Sequence, residues 1–158
     1  MIYTELTKKA LRIAFDAHKD QVDKSGLPYI FHPYHIAEQM TDEVSVCVAL
    51  LHDVVEDTAI TFEDLIKQNI PNEVIDSLRL LTHDDNTLYI DYINHIKDSN
   101  NYIAIQVKLA DLLHNSNSSR VDGLDKNTQE RLKKYQKAIN ILEDYNSQKK
   151  EGICEKSI

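Results

Sequence analysis

The sequence predicts an all-α, single-domain fold. Glycine and proline number only three each among 158 residues, too few for the turns of a sandwich or barrel. Apolar residues recur three and four apart along most of the chain, the spacing of a helix face. The one stretch that alternates like a strand has no neighbouring strand to pair with. The length suits one domain, and a domain of that size buries roughly 68–70% of its unfolded surface, so its core needs no disulfide or structural metal.

Leu6, Ala10, Ile13, Ala14 and Ala17 share one face of a helix from about Thr4 to Asp20. Residues 21–30 read as a loop, broken by Ser25, Gly26 and Pro28. A short helix follows Pro33, which suits a first helical turn. Residues 44–55, VSVCVALLHDVV, are apolar nearly all round and predict a helix in the middle of the fold. Thr61 caps a short helix with Asp64 three residues on, and Pro71 opens another that runs to about Leu81. HDDN at 83–86 is a polar break before an amphipathic helix at 87–97. In 102–113 the residues Ile103, Ile105, Val107 and Leu109 alternate, but the length of the run favours a second buried helix. The last helix starts near Asn127, with Glu130 in capping-box position, and keeps Leu132, Tyr135, Ile139, Leu142 and Tyr145 in register.

Composition excludes several classes. With 42% apolar and 28% charged residues the chain is of ordinary globular type. No apolar run approaches the roughly 18 residues of a membrane span, and MIYTELTKKALRIAF is not a secretory signal. Cys47 in an apolar run and Cys154 in a polar segment make no disulfide framework, which fits a reducing cytoplasm. A net charge of −8 argues against nucleic-acid binding. The acid surplus serves solubility, and some of it is available to hold metal.

The chemistry lies where polar residues interrupt the two most apolar segments. His52 and Glu56 are four apart, as are Asp53 and Asp57, so each pair shares a helical stripe. Charges removed from water cost several kcal/mol each unless paired or bound to metal. The second insert comprises Lys108, Asp111, His114 and Asn115. With His32, between Phe31 and Pro33, the candidate ligands His32, His52, Asp53 and Asp111 offer two imidazoles and two carboxylates. That set suits Mn²⁺, Fe²⁺ or Zn²⁺, and two distant cysteines cannot build a zinc finger. Glu56 and Asp57 stand one turn away, in reach of a water. His18, His35, His83 and His95 read as ordinary structural histidines.

AFDAHKDQVDKSGLPYIFHPYHIA (14–37), ALLHDVVEDT (49–58) and VKLADLLHN (107–115) resemble the hydrolase domain of the RelA/SpoT alarmone enzymes, within the HD phosphohydrolase superfamily. The likeness covers about residues 4–145. It implies a helical HD-domain fold over 1–146, with 147–158 as a polar, flexible tail. It also implies Mn²⁺-dependent hydrolysis of the 3′-pyrophosphate of ppGpp and pppGpp to GDP or GTP and pyrophosphate. Carried over by position, the metal ligands fall on His32, His52, Asp53 and Asp111, and the water-activating pair on Glu56 and Asp57. Lys24, Asn115 and Ser118 fall where the family contacts nucleotide, ribose and base. A chain ending at 158 has no room for the synthetase and regulatory domains of long members, so the resemblance is to small, stand-alone alarmone hydrolases of the cytoplasm, acting on a nucleotide and on neither nucleic acid nor membrane.

Two positions depart from the family pattern. Asp23 precedes Lys24 where an arginine is usual, which exchanges a planar cation for a carboxylate. Leu112 replaces an arginine after Asp111. Both bear on base preference and phosphate grip, and they leave open another substrate, ppApp or a 3′-phosphorylated nucleotide. A sensing module without turnover is the reading from another class; the intact His32, His52, Asp53, Glu56, Asp57 and Asp111 argue against it.

Overall fold

The computed structural model describes residues 1–84, 86–117 and 126–154, without the side chains of 146 and 148–154. Among these residues there are nine helices and no strand; the nearest thing to a sheet is one isolated bridge between Val22 and Pro28. The all-α expectation holds.

Helix α1 (Glu5–His18) starts where Thr4 and Thr7 cap each other reciprocally, and it buries Ala10, Ile13 and Ala14. The loop after it turns tightly at Gly26, whose φ of +78° is the left-handed conformation glycine adopts without strain. Helix α2 (Phe31–Glu38) begins two residues before Pro33. Proline is still tolerated there, since amides of a first turn have no helical partner.

Helix α3 (Glu43–Leu51) opens on the Asp42 cap and buries every residue from Ser45 to Leu51. It packs against α1, α2, α6 and α8, so it is the axis of the fold. The expected single helix over 44–55 is interrupted at His52 and Asp53 and resumes as α4 (Val54–Asp57). Asp53 has φ −97° and ψ −6°, in the sparsely used region beside the helical one.

The reciprocal cap of Thr61 and Asp64 opens α5 (Phe62–Lys67) as expected, and Pro71 directly precedes α6 (Asn72–Leu81). Helix α7 (Tyr89–Asp98) follows the polar break. The ambiguous stretch is helical, as α8 (Tyr102–Asn115), with Asn101 as its cap. Helix α9 (Lys126–Cys154) lies against α7 and α8 through Ala138, Ile139 and Leu142. Its backbone runs on past Ser147, through the start of the expected tail.

Candidate metal centre and cleft

Four side chains from three separate stretches of the sequence meet where α2, α8 and the break after α3 converge. Nε2 of His32 lies 3.4 Å from Oδ2 of Asp53 and 3.3 Å from Oδ1 of Asp111. Nε2 of His52 lies 3.1 Å from Oδ2 of Asp53 and 3.9 Å from Oδ1 of Asp111. Donor atoms of His32, His52 and Asp53 all fall within 4.8 Å of one another. Two donors about 2.1 Å from one ion stand about 3.0 Å apart at right angles and about 4.2 Å apart across it. The four nitrogen–oxygen separations sit inside that range.

A second observation bears on an ion. Nδ1 of His52 is 2.8 Å from the carbonyl oxygen of Ala49, which can only accept. The proton is therefore on Nδ1, and in the neutral ring Nε2 presents a bare lone pair. That Nε2 is buried and has no hydrogen-bond partner. An orphaned buried acceptor is costly, and a cation among these donors removes the cost. The donor set and the orphaned nitrogen fit a divalent ion.

The remaining contacts hold the donors in place. Tyr29 donates its phenolic hydrogen to Oδ2 of Asp53 at 2.6 Å. Lys108, one turn before Asp111, places its ammonium 2.9 Å from Oδ2 of Asp111. Nδ2 of Asn115, one turn after, donates to Oδ1 at 2.6 Å. His32 directs its Nδ1 at Nδ1 of His114, 2.8 Å away.

The electrostatics follow from burial and close opposite charge. Burial pushes Asp53 and Asp111 upward. The imidazoles beside Asp53 and the Lys108 ammonium beside Asp111 more than reverse that, so both stay ionised well below the usual carboxylate range. Burial lowers His32, yet the carboxylates of Asp111 and Asp53 lift it to about 9. Glu56 and Asp57 behave oppositely: burial raises both, helped by the neighbouring charge of Asp53. Glu56 is oriented by the amide of His83, which donates to its Oε2 at 2.9 Å.

A cavity of about 350 Å³ adjoins the cluster at His32, a size suited to a small ligand. Lys24, His32 and Asn115 line it, together with Arg131 and Tyr135 from α9. A larger groove of about 540 Å³ between α1 and α5 contains no donor cluster, so the chemistry belongs to the smaller one.

Of the residues expected from sequence, His32, His52, Asp53 and Asp111 are together; Glu56 and Asp57 follow Asp53 on α4, and Lys24 lines the adjoining cavity with His32. Asn115 bonds directly to Asp111, four residues before it on the same helix face. Ser118 lies outside the described residues. Asp23 also lines the cleft, and its Oδ1 accepts from the amides of Ser25 at 2.8 Å and Leu27 at 3.0 Å. It builds the turn around Gly26 as an Asx residue. Leu112 is buried in the core, 1% exposed.

Sequence reasoning missed Tyr29, Arg131 and Tyr135 as site residues. Arg131 carries a buried Nε without a hydrogen-bond partner at the cleft wall. Nothing local in the sequence marks it; only the packing of α9 across α8 brings it there.

No protein-family model matches the chain. It is 34% identical over 139 residues to a guanosine-3′,5′-bis(diphosphate) 3′-pyrophosphohydrolase of Borreliella burgdorferi, a match that covers 80% of this chain and 20% of that protein. It is 44% identical over 62 residues to the bifunctional (p)ppGpp synthase/hydrolase SpoT of Escherichia coli, covering 37% of this chain and 9% of that one. The chain thus spans a fifth or less of the length of these curated relatives. Among solved structures it resembles a metazoan orthologue of SpoT that hydrolyses ppGpp and plays a role in starvation responses. The TM-score is 0.71 and the identity 26%, over 94% of this chain and 98% of that one.

Proposed function

The chain belongs to the RelA/SpoT HD-hydrolase family, and on that premise we propose that it removes the 3′-pyrophosphate of ppGpp and pppGpp, giving GDP or GTP and pyrophosphate. The observation that carries this reading is the meeting of His32, His52, Asp53 and Asp111 next to a cleft that His32 lines, with Glu56 and Asp57 following on α4. The relatives named for this reaction support it.

A divalent ion held by His32, His52, Asp53 and Asp111, which we take to be Mn²⁺, supplies a Lewis acid that makes a water nucleophilic near neutral pH. Glu56 and Asp57 take the proton of the attacking water. Their burial lifts both carboxyls toward the working pH, where a base accepts a proton most effectively. The water oxygen joins the phosphorus attached to the ribose 3′-oxygen. The bond from that phosphorus to the 3′-oxygen breaks, pyrophosphate leaves, and the proton taken from the water passes, directly or through solvent, to the 3′-oxygen to give the hydroxyl. Lys24 and Arg131 face the phosphates across the cleft, Asn115 steadies both Asp111 and the ribose side, and Ser118 contacts the base. The protein works in the cytoplasm on a free nucleotide, and its net charge of −8 keeps it off nucleic acid. No helix among the described residues is long and apolar enough to cross a membrane.

One observation favours a second reading of the base. Asp23 occupies the cleft wall as a turn-building carboxylate and offers no planar cation to stack on guanine. The test is incubation with Mn²⁺ and, separately, ppGpp, ppApp and a 3′-phosphorylated nucleotide, products resolved by anion exchange, with Asp53→Ala alongside. Release of GDP and pyrophosphate from ppGpp, absent in the variant, is the expected result. Turnover of only another nucleotide keeps the reaction and changes the base. No turnover by metal-loaded protein refutes the proposal.

A further inference from the structure

The two histidines of the cluster hold their far nitrogens in different ways. In His52 a carbonyl oxygen accepts the Nδ1 hydrogen, which leaves one arrangement of the ring proton. In His32 the partner is another imidazole, Nδ1 of His114 at 2.8 Å. Two ring nitrogens at that distance share one hydrogen, so one ring donates and the other accepts. The direction of that bond decides what Nε2 of His32 can do. If His114 donates, the neutral His32 ring carries its hydrogen on Nε2, pointed at Asp53 and Asp111, and cannot bind an ion there. If His114 accepts, His32 keeps its hydrogen on Nδ1 and Nε2 is bare.

We infer that His114 is a positioning residue for the ligand His32, accepting its Nδ1–H so that Nε2 faces the carboxylates as a free lone pair. The inference rests on the reading of His32 as a metal ligand. Its geometry is supplied by α8: His114 stands three residues after Asp111, on the same face, so one helix presents both a ligand and the group that orients another ligand. The ring of His114 is wedged between those of His32 and His35, with centroids 4.9 Å and 4.7 Å away, which restricts its rotation. Partners of this kind on a metal-binding histidine typically change metal affinity 10–100-fold, which about sets the size of the expected effect.

His114→Phe keeps a ring between its neighbours and removes the acceptor. His114→Asn returns an acceptor oxygen close to the position of Nδ1. Calorimetric titration of metal-stripped protein with Mn²⁺ should show affinity down by roughly 10–100-fold in His114→Phe, with recovery of much of the loss in His114→Asn. Two-bond ¹H–¹⁵N spectra of the wild-type protein loaded with diamagnetic Zn²⁺ should show hydrogen on Nδ1 of His32 and none on Nδ1 of His114. This second readout stands even if His114→Phe does not fold. Wild-type affinity in His114→Phe, no recovery in His114→Asn, or a shared hydrogen assigned to His114 overturns the inference and leaves the metal site intact. A wild-type protein that takes up no divalent ion overturns the metal site itself, and the inference with it.

Discussion

Lys108→Met, measured in metal-free protein, tests whether the cluster is held by paired buried charge. The Lys108 ammonium is 2.9 Å from Asp111, and the two side chains are 15% and 7% exposed. The charge also lies 5.4 Å from the centre of the Tyr92 ring. Methionine keeps the stem's volume and removes the charge, stranding a buried carboxylate. Breaking a buried pair in this way costs about 3–5 kcal/mol. Asp111 retains the amide of Asn115 and the neighbouring His32, so we expect the low end, about 3 kcal/mol, which is a fall in Tm of about 6–12 °C for a domain of this size. Urea unfolding in the presence of chelator measures it. Combining Lys108→Met with Asp111→Asn completes a double-mutant cycle, and we expect a coupling of about 2 kcal/mol. Adding Mn²⁺ to Lys108→Met should narrow the gap, because an ion beside Asp111 restores positive charge to it. A coupling below about 0.5 kcal/mol refutes the account of how Asp111 is kept ionised.

Asp53→Ala should abolish Mn²⁺ binding in calorimetry, whereas Glu56→Gln should bind the ion normally and lose roughly 10²–10⁴ in kcat; full activity in Glu56→Gln removes it from the proton transfer. Tyr29→Phe deletes a hydrogen bond to an ionised Asp53 and should weaken Mn²⁺ binding by about tenfold; unchanged affinity means that Asp53 is positioned by its backbone alone. The pH dependence of metal-free stability has a definite sign. His32 sits at about 9 in the folded protein against an ordinary 6.5, because Asp111 and Asp53 outweigh its burial. Its protonation therefore contributes stability fully below about pH 6.5, and that contribution is lost as pH rises through about 9. Urea midpoints in chelator at pH 6 and pH 9 should fall in that order, and a rise at pH 9 contradicts the placing of His32 between two carboxylates.

Much of the fold was legible because local signals and burial agree. Thr4 and Thr61 cap the helices they precede, and the all-round apolarity of 44–51 identifies the central helix. The clustering was legible for a related reason: His52, Asp53 and Asp111 sit in the two segments least able to tolerate charge without a partner. The break at Asp53 was not legible. Helical spacing continues through it, and what marks it is a backbone angle and a bond from Tyr29, 24 residues earlier in the chain. Arg131 and Tyr135 were hidden because Tyr135 also fits the apolar register of α9, and an arginine on a polar helix face carries no sign of which neighbour it will meet. Leu112 looked like a lost phosphate contact in sequence and is a core residue in the structure. His114 was visible as part of a polar insert, but its partner lies 82 residues away across the interface of α2 with α8.

The proposed substrate is a polyanion and the chain carries a net charge of −8, so the local arrangement of charge decides whether the two are compatible. The acids nearest the chemistry do not all present free charge to the cleft. Asp111 is neutralised from behind by Lys108, and Asp53 is bonded by Tyr29 and flanked by two imidazoles. Glu56 and Asp57 do not line the cavity. The cations that reach the cavity, Lys24 and Arg131, come from elements on opposite sides of it, the loop after α1 and the start of α9. Local field rather than total charge governs the approach of a ligand to such a site, and a bound divalent ion is the largest single charge in that field. On the proposed reading, the carboxylates that would repel a nucleotide in the metal-free protein are the groups that would hold the ion, so affinity for metal and affinity for nucleotide would be coupled through one set of side chains.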